Sequence, residues 1–269
     1  MVEKKYAWED GAELLEHTRR KHKILREYFH QYLYVRCRLP QQTKFRLAVV
    51  DGFSGAGRYS CGTPGSPIIF LEELMSAFDR ISIERKSQGL ADLGIECLLI
   101  FNDLDPEAVS LLKGHCAPLL AEIREQCGGL HIDIQYMNCE FEKAYKEIKE
   151  RVRAGRYLNV IYNLDQCGHS WVDRRTIVDI MSSTKSVEII FTFLIEALIS
   201  YLSKTDQDKL LRRLAPFGIN ETNIEPLSPI MSKREWLGTA ERLVLNHFKS
   251  VRHLSALSPF TTRKVGAIG

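Results

Sequence analysis

A chain of 269 residues that is 45% hydrophobic and 26% charged has the make-up of an ordinary globular protein, long enough for one sizeable α/β core with an appendage rather than two fully separate domains. A net charge of +3 decides nothing about a polyanionic partner, because nucleic-acid readers gather their basic residues on one face, whereas the lack of any apolar stretch near ~20 residues argues against a membrane span. The seven cysteines (Cys37, Cys61, Cys97, Cys116, Cys127, Cys139 and Cys167) are scattered and odd in number and make no Cys-x-x-Cys pair, a pattern of reduced thiols in a cytoplasmic protein rather than of a zinc knuckle or redox pair.

The start, Met1-Val2-Glu3-Lys4-Lys5, runs into a polar amphipathic segment instead of an apolar signal core, in keeping with a cytosolic location. From His17 to Val35 the residues Ile24, Leu25, Tyr28, Phe29, Tyr32 and Leu33 recur at helical spacing, with Arg19, Arg20, Lys21 and Lys23 near one end. His17 and Lys21 share a face one turn apart, so they suit a ligand or phosphate as well as a solvated helix.

The apolar run Phe45 to Val50 then ends in Asp51-Gly52-Phe53-Ser54-Gly55-Ala56-Gly57, a buried strand emptying into a glycine turn. Glycines there admit positive φ and close approach of a ligand, and the same spacing also suits a plain strand-to-helix turn. The order Gly52, Gly55, Gly57 is not Gly-x-Gly-x-x-Gly, and no Gly-Lys-Ser/Thr follows, so dinucleotide and P-loop readings lose ground. An acid directly after the strand fits a site for S-adenosylmethionine, which has no pyrophosphate to cradle. On that reading Asp51, Gly52, Gly55 and Gly57 hold the cofactor.

Thr63-Pro64-Gly65-Ser66-Pro67 leads into a helix from Ile68 to Phe78, with Ser66 at the N-cap and Pro67 in the first turn, and a polar connection follows from Asp79 to Gly94. Ile95 to Phe101 is the second buried strand. Asp103 after it is placed to accept both ribose hydroxyls of an adenosine ligand, or is a solvated strand-end acid; Asp105 beside Pro106 reads as the cap of the next helix. His131 to Met137 is a third strand, and Asn138 after it is either a polar group at the adenine edge or a turn residue.

A helix from Phe141 to Arg153, a strand from Leu158 to Asn163, a helix from Asp173 to Ser183 and a strand from Val187 to Leu194 complete an alternation that argues for a doubly wound, mostly parallel α/β sheet. After the fourth strand comes Asp165-Gln166-Cys167-Gly168-His169-Ser170-Trp171. Asp165 is the candidate catalytic group, as acceptor of an amine proton, ahead of Cys167 as a nucleophile toward a pyrimidine ring; a turn cap, an inert thiol and a core Trp171 are the bland alternative. Cys167 with His169, or Cys127 with His131, lacks a second pair at suitable spacing, so no metal is expected.

Beyond Leu194 the pattern turns helical and more polar, through Gln207 to Leu214 and Lys233 to Val251, and the end carries no helix stop, which leaves room for a longer natural protein.

Three segments taken together, His17-Thr18-Arg19-Arg20-Lys21-His22-Lys23-Ile24-Leu25, Val50-Asp51-Gly52-Phe53-Ser54-Gly55-Ala56-Gly57-Arg58-Tyr59 and Pro64-Gly65-Ser66-Pro67-Ile68-Ile69, resemble the three-Cys-motif partner proteins. The likeness covers about residues 17 to 170 in order. It implies a Rossmann-like S-adenosylmethionine-binding domain over 1–200, a helical C-terminal extension over 201–269, and association with a protein bearing a three-cysteine, radical-SAM-like cluster motif. A more distant similarity to adenine-N6 methyltransferases of ribosomal RNA implies nucleic acid as a partner, Ser66 near the substrate, Asp103 on ribose and Asp165 facing the target amine. The chain departs from both at one place. Where those families show Asp-Pro-Phe-Gly or Asp-Pro-Pro-Tyr it has Asp165-Gln166-Cys167-Gly168, so the shaping proline and stacking aromatic are absent, with His169 or Trp171 the substitutes for the aromatic beside Lys21 in substrate binding.

Overall fold

Five runs rich in apolar residues pair side by side in a computed structural model of the chain, which describes residues 11–166 and 172–192 and a few single positions beyond. In chain order these residues form α1 (Glu16–Cys37), β1 (Lys44–Asp51), α2 (Ser66–Ser87), β2 (Gly94–Asp103), α3 (Pro106–Gln126), β3 (Leu130–Asn138), α4 (Phe141–Ala154), β4 (Asn159–Leu164), α5 (Arg174–Ser183) and β5 (Ser186–Phe191). The strands lie in the order β3-β2-β1-β4-β5, and every neighbouring pair is parallel. This is a Rossmann-like α/β arrangement. The chain builds outward from β1 to β3 and then returns to add β4 on the other side of β1, and that reversal puts the switch point of the sheet, where such folds bind ligands, at the carboxyl ends of β1 and β4.

The described residues fall into two compact units, the first of residues 11–165 and 183–191, the second of 166, 172–182 and 192 with single positions further on. Within the first, side chains alternate across the sheet. Phe45, Leu47 and Val49 of β1 and Ile95, Cys97, Leu99 and Phe101 of β2 join one core with α1, α2 and α3. Ala48, Val50, Leu98 and Ile100 are equally buried but lie outside that core, on the parity that faces the other way, where α4 buries Phe141, Ala144, Tyr145, Ile148 and Val152.

Helix α1 is tied along its length. Phe29 meets Phe70 of α2 edge-on with ring centroids 4.9 Å apart, Arg26 binds Glu72 at 2.6 Å and Glu73 at 2.5 Å, and His30 Nδ1 meets Glu73 at 2.9 Å. Also from its middle, Tyr28 bonds Glu188 of β5, and in its last turn Arg36 bonds Asn159 and Ser186.

Two expectations need correction. The helix after the glycine turn does not stop at Phe78 but runs to Ser87, through most of the stretch expected as a polar connection. The reason is that its inward stripe continues through Ile81 to Arg85, whose buried guanidinium donates to the carbonyls of Ala91, Leu39, Pro40 and Gln42. Ser66, moreover, is the first helical residue and not the N-cap, a place taken by Gly65. Asp105 does cap α3, accepting Glu107 N–H at 2.9 Å. Strand β5 is described to Phe191; the expected helices at Gln207–Leu214 and Lys233–Val251 lie almost wholly outside the described residues.

Phe29 has no exposure, so Phe29→Ala should lower the unfolding free energy in urea by ~3–5 kcal/mol, whereas Ile83→Ala, at a 68% exposed position on α2, should stay within about 0.5 kcal/mol of the parent.

Candidate functional site

The site is built at the carboxyl ends of β1, β2 and β4. Asp51, the last residue of β1, has no exposure, and its two oxygens are satisfied from three segments. Oδ2 accepts the Ser66 hydroxyl at 2.6 Å, Oδ1 accepts Phe53 N–H at 3.4 Å, and the Asn163 side chain also bonds the group. Burial pushes its carboxyl up to about 7, against the pull of those donors and with the help of the Asp165 charge. The Ser66 hydroxyl is thus committed to Asp51 and caps no amide of α2, whose N-cap is Gly65. Both side chains hold the turn.

That turn needs glycine at two places. Gly55 has φ +59° and Gly57 has φ +82°, and a Cβ on Gly57 would lie 2.6 Å from Leu112 Cδ1. Gly52 N–H reaches Asn163 O at 3.0 Å, Gly65 N–H reaches Gly57 O at 2.7 Å, and His115 Nδ1 donates to Ala56 O at 2.7 Å. The turn is therefore fastened to β4, to the start of α2 and to α3.

Asp103 closes β2. Its Oδ2 accepts Gly55 N–H at 2.8 Å and its Oδ1 accepts Asp105 N–H at 2.9 Å; burial raises its pKa while these amides oppose the rise. Each oxygen keeps a further lone pair, so the carboxylate is oriented without being saturated. Asn138, at the end of β3, is exposed and donates to the carbonyls of Asp103 and Leu104 at 3.0 and 2.9 Å.

Asp165 follows β4 and is met by Lys21 from α1. The ammonium bonds both oxygens, at 2.7 and 2.8 Å, with the two side chains 19% and 23% exposed. Beside it His22 is held neutral: burial, helped by Lys21 and Arg26 and opposed by Asp165, lowers it to about 4. Its ring lies 5.5 Å from that of Tyr59.

The structure thus gathers Asp51, Gly52, Gly55, Gly57, Ser66 and Asp103 around one turn, with Asn138 beside Asp103, and pairs Lys21 with Asp165. Cys167, His169 and Trp171 lie outside the described residues. Gln166 is buried and accepts Val172 N–H at 2.9 Å. Sequence reasoning missed Asn102, Asn163 and His115. The first two had a signal, since each is a lone amide closing an apolar strand run. Among the described residues no group of three or more His, Cys, Asp or Glu could hold a metal ion, and no helix is long and apolar enough to cross a membrane. No protein-family model matches the chain, and no curated protein matches it as a relative.

The Asp51 carboxyl gives a pH signature. Its ordinary value is 3.8 and its folded value about 7. Between the two, the folded chain holds a proton that the unfolded chain has released, so this group's contribution to stability falls as pH rises through that window and levels off above it. Asp51→Asn lacks the titration. Its urea midpoint relative to the parent should therefore climb from pH 4 to pH 7 and then stay constant; a difference flat with pH would show that Asp51 titrates alike in both states.

Proposed function

We propose that the chain is an S-adenosylmethionine-dependent methyltransferase acting on an amino group of a nucleic-acid base. The observation that carries the reading is Asp103, a strand-end carboxylate aimed by two backbone amides, with lone pairs left on both oxygens, clamped over a glycine turn in left-handed conformation at the switch point of the sheet. Those residues fit an adenosyl ligand: Asp103 would take the ribose hydroxyls, and the backbone of Gly55 and Gly57 would lie alongside. When bound, S-adenosylmethionine supplies an electrophilic methyl group on its sulfonium. Asp51 acts at one remove, holding the turn and the start of α2.

Asp165 is the candidate acceptor for the amine proton. A carboxylate offers about four lone-pair positions, and Lys21 engages one on each oxygen, so the pair fixes the direction of the group and leaves room for a further donor. Lys21 belongs to the same basic helix end as Arg19, Arg20 and Lys23, which suits a polyanionic substrate. The likeness to adenine-N6 methyltransferases of ribosomal RNA supports the same assignment.

A second reading, a partner module of a three-cysteine protein without turnover, is favoured by one observation. Each oxygen of Asp165 and of Asp103 already has a partner within the protein, Lys21 for the first and two backbone amides for the second.

Calorimetric titration with S-adenosylmethionine and its demethylated product separates the two. Saturable binding that weakens at least about tenfold, or ~1.4 kcal/mol, in Asp103→Ala is the expected result. Folded protein that gives no heat would withdraw the enzyme reading in favour of the partner module. With binding established, labelled methyl transfer to RNA or DNA should vanish in Asp165→Ala while cofactor binding stays; retained turnover would remove Asp165 from its role.

A further inference from the structure

Strand β2 runs through apolar residues from Cys97 to Phe101 and then buries an amide, Asn102, at 1% exposure. Packing alone does not ask for it. The Asn102 Oδ1 is buried and makes no hydrogen bond among the described residues, a deficit that costs free energy and that a Leu of similar size would not incur. The other end of the amide accounts for the residue. Nδ2 donates to Gly52 O at 3.1 Å and to Cys139 O at 2.9 Å, so one side chain bonds the turn after β1 and the turn after β3. Two carbonyl acceptors also fix which end carries the hydrogens, because a flipped amide would set its oxygen against both.

The backbone adds to this. Asn102 O accepts both Ser54 N–H at 2.9 Å and the Ser54 hydroxyl at 3.1 Å, and the adjacent Asp103 takes Gly55 N–H. Phe53 and Phe141 bring apolar rings from the same two segments to 5.7 Å.

We propose that Asn102 is the positioning residue of the candidate cofactor site, its two donors holding the turn after β1 and the turn after β3 at one fixed separation. The identity of the ligand rests on the methyltransferase reading; the coupling of the two turns rests on the hydrogen bonds alone. Asn102 meets no reacting atom itself. It acts through Gly52 and Cys139.

Two variants separate the donors from the volume. Asn102→Leu fills the place without donors, and Asn102→Asp keeps the shape but faces an acceptor toward two carbonyls. Amide hydrogen exchange followed by NMR reads the coupling with no ligand present, and titration with S-adenosylhomocysteine reads its consequence. Exchange at Ser54 and Gly55 and at Cys139 and Glu140 should rise together by about tenfold or more, with the amides of Leu47 to Val50 and Leu98 to Ile100 unchanged, and affinity should fall by a similar factor. Loss of packing alone would loosen the strands and would not single out two turns far apart in sequence. Exchange that rises in one turn only, or in neither, overturns the proposal, as do loosened turns with unchanged affinity. A parent protein that does not bind S-adenosylhomocysteine overturns the methyltransferase reading, while the exchange data still decide the coupling. Should Asn102→Asp fail to fold, Asn102→Leu carries the test.

Discussion

A carboxylate with no access to water sits where β1 ends, and the surrounding geometry answers to it. Removing such a group from solvent is unfavourable unless hydrogen bonds replace the lost water, and Asp51 draws them from Ser66 at the start of α2, from Phe53 in the turn and from Asn163 in β4. The start of α2 and strand β4 must therefore both arrive at the end of β1, where the turn already lies. The start of α2, the course of the glycine turn and the alignment of β4 beside β1 follow from one buried acid more than from the intrinsic preferences of the residues around it.

Helix α1 performs a comparable role on a larger scale. Its N-terminal half reaches Asp165 through Lys21, its middle meets the buried Glu73 through Arg26 and His30 and Glu188 of β5 through Tyr28, and its last turn reaches β4 and β5 through Arg36. A charge such as Glu73 inside the α1–α2 contact makes that contact specific in register, since sliding by one turn would leave the acid unpaired. The position of Lys21 at the carboxyl ends of the strands is thus inherited from contacts well away from it.

Much of this was legible in the sequence, for identifiable reasons. The strands showed themselves because both faces of the sheet are covered, so β1 and β2 carry the continuous apolar runs Leu47 to Val50 and Cys97 to Phe101, and Asp105 showed itself because an acid before proline has few other places to be. The extent of α2 did not, since Arg85 looks like a solvent residue until four carbonyls surround it. Ser66 was misread because the pattern of an N-cap and that of a first-turn hydroxyl pointing elsewhere are the same string of letters. The burial of Asp51 and the Lys21–Asp165 pair, whose members are 144 positions apart, are tertiary facts that no local window holds.

The thiols offer a practical consequence. Cys37, Cys97, Cys116 and Cys127 are buried, and burial raises each of them, whereas Cys61 is exposed and its hydrogen bond to Thr63 lowers it. A maleimide or iodoacetamide dye would discriminate sharply between these five. Cys61 lies in the short Arg58–Pro64 loop that carries on from Gly57, so a fluorophore attached there would sit beside the glycine turn and report its movements by intensity or anisotropy, with no residue of the site altered.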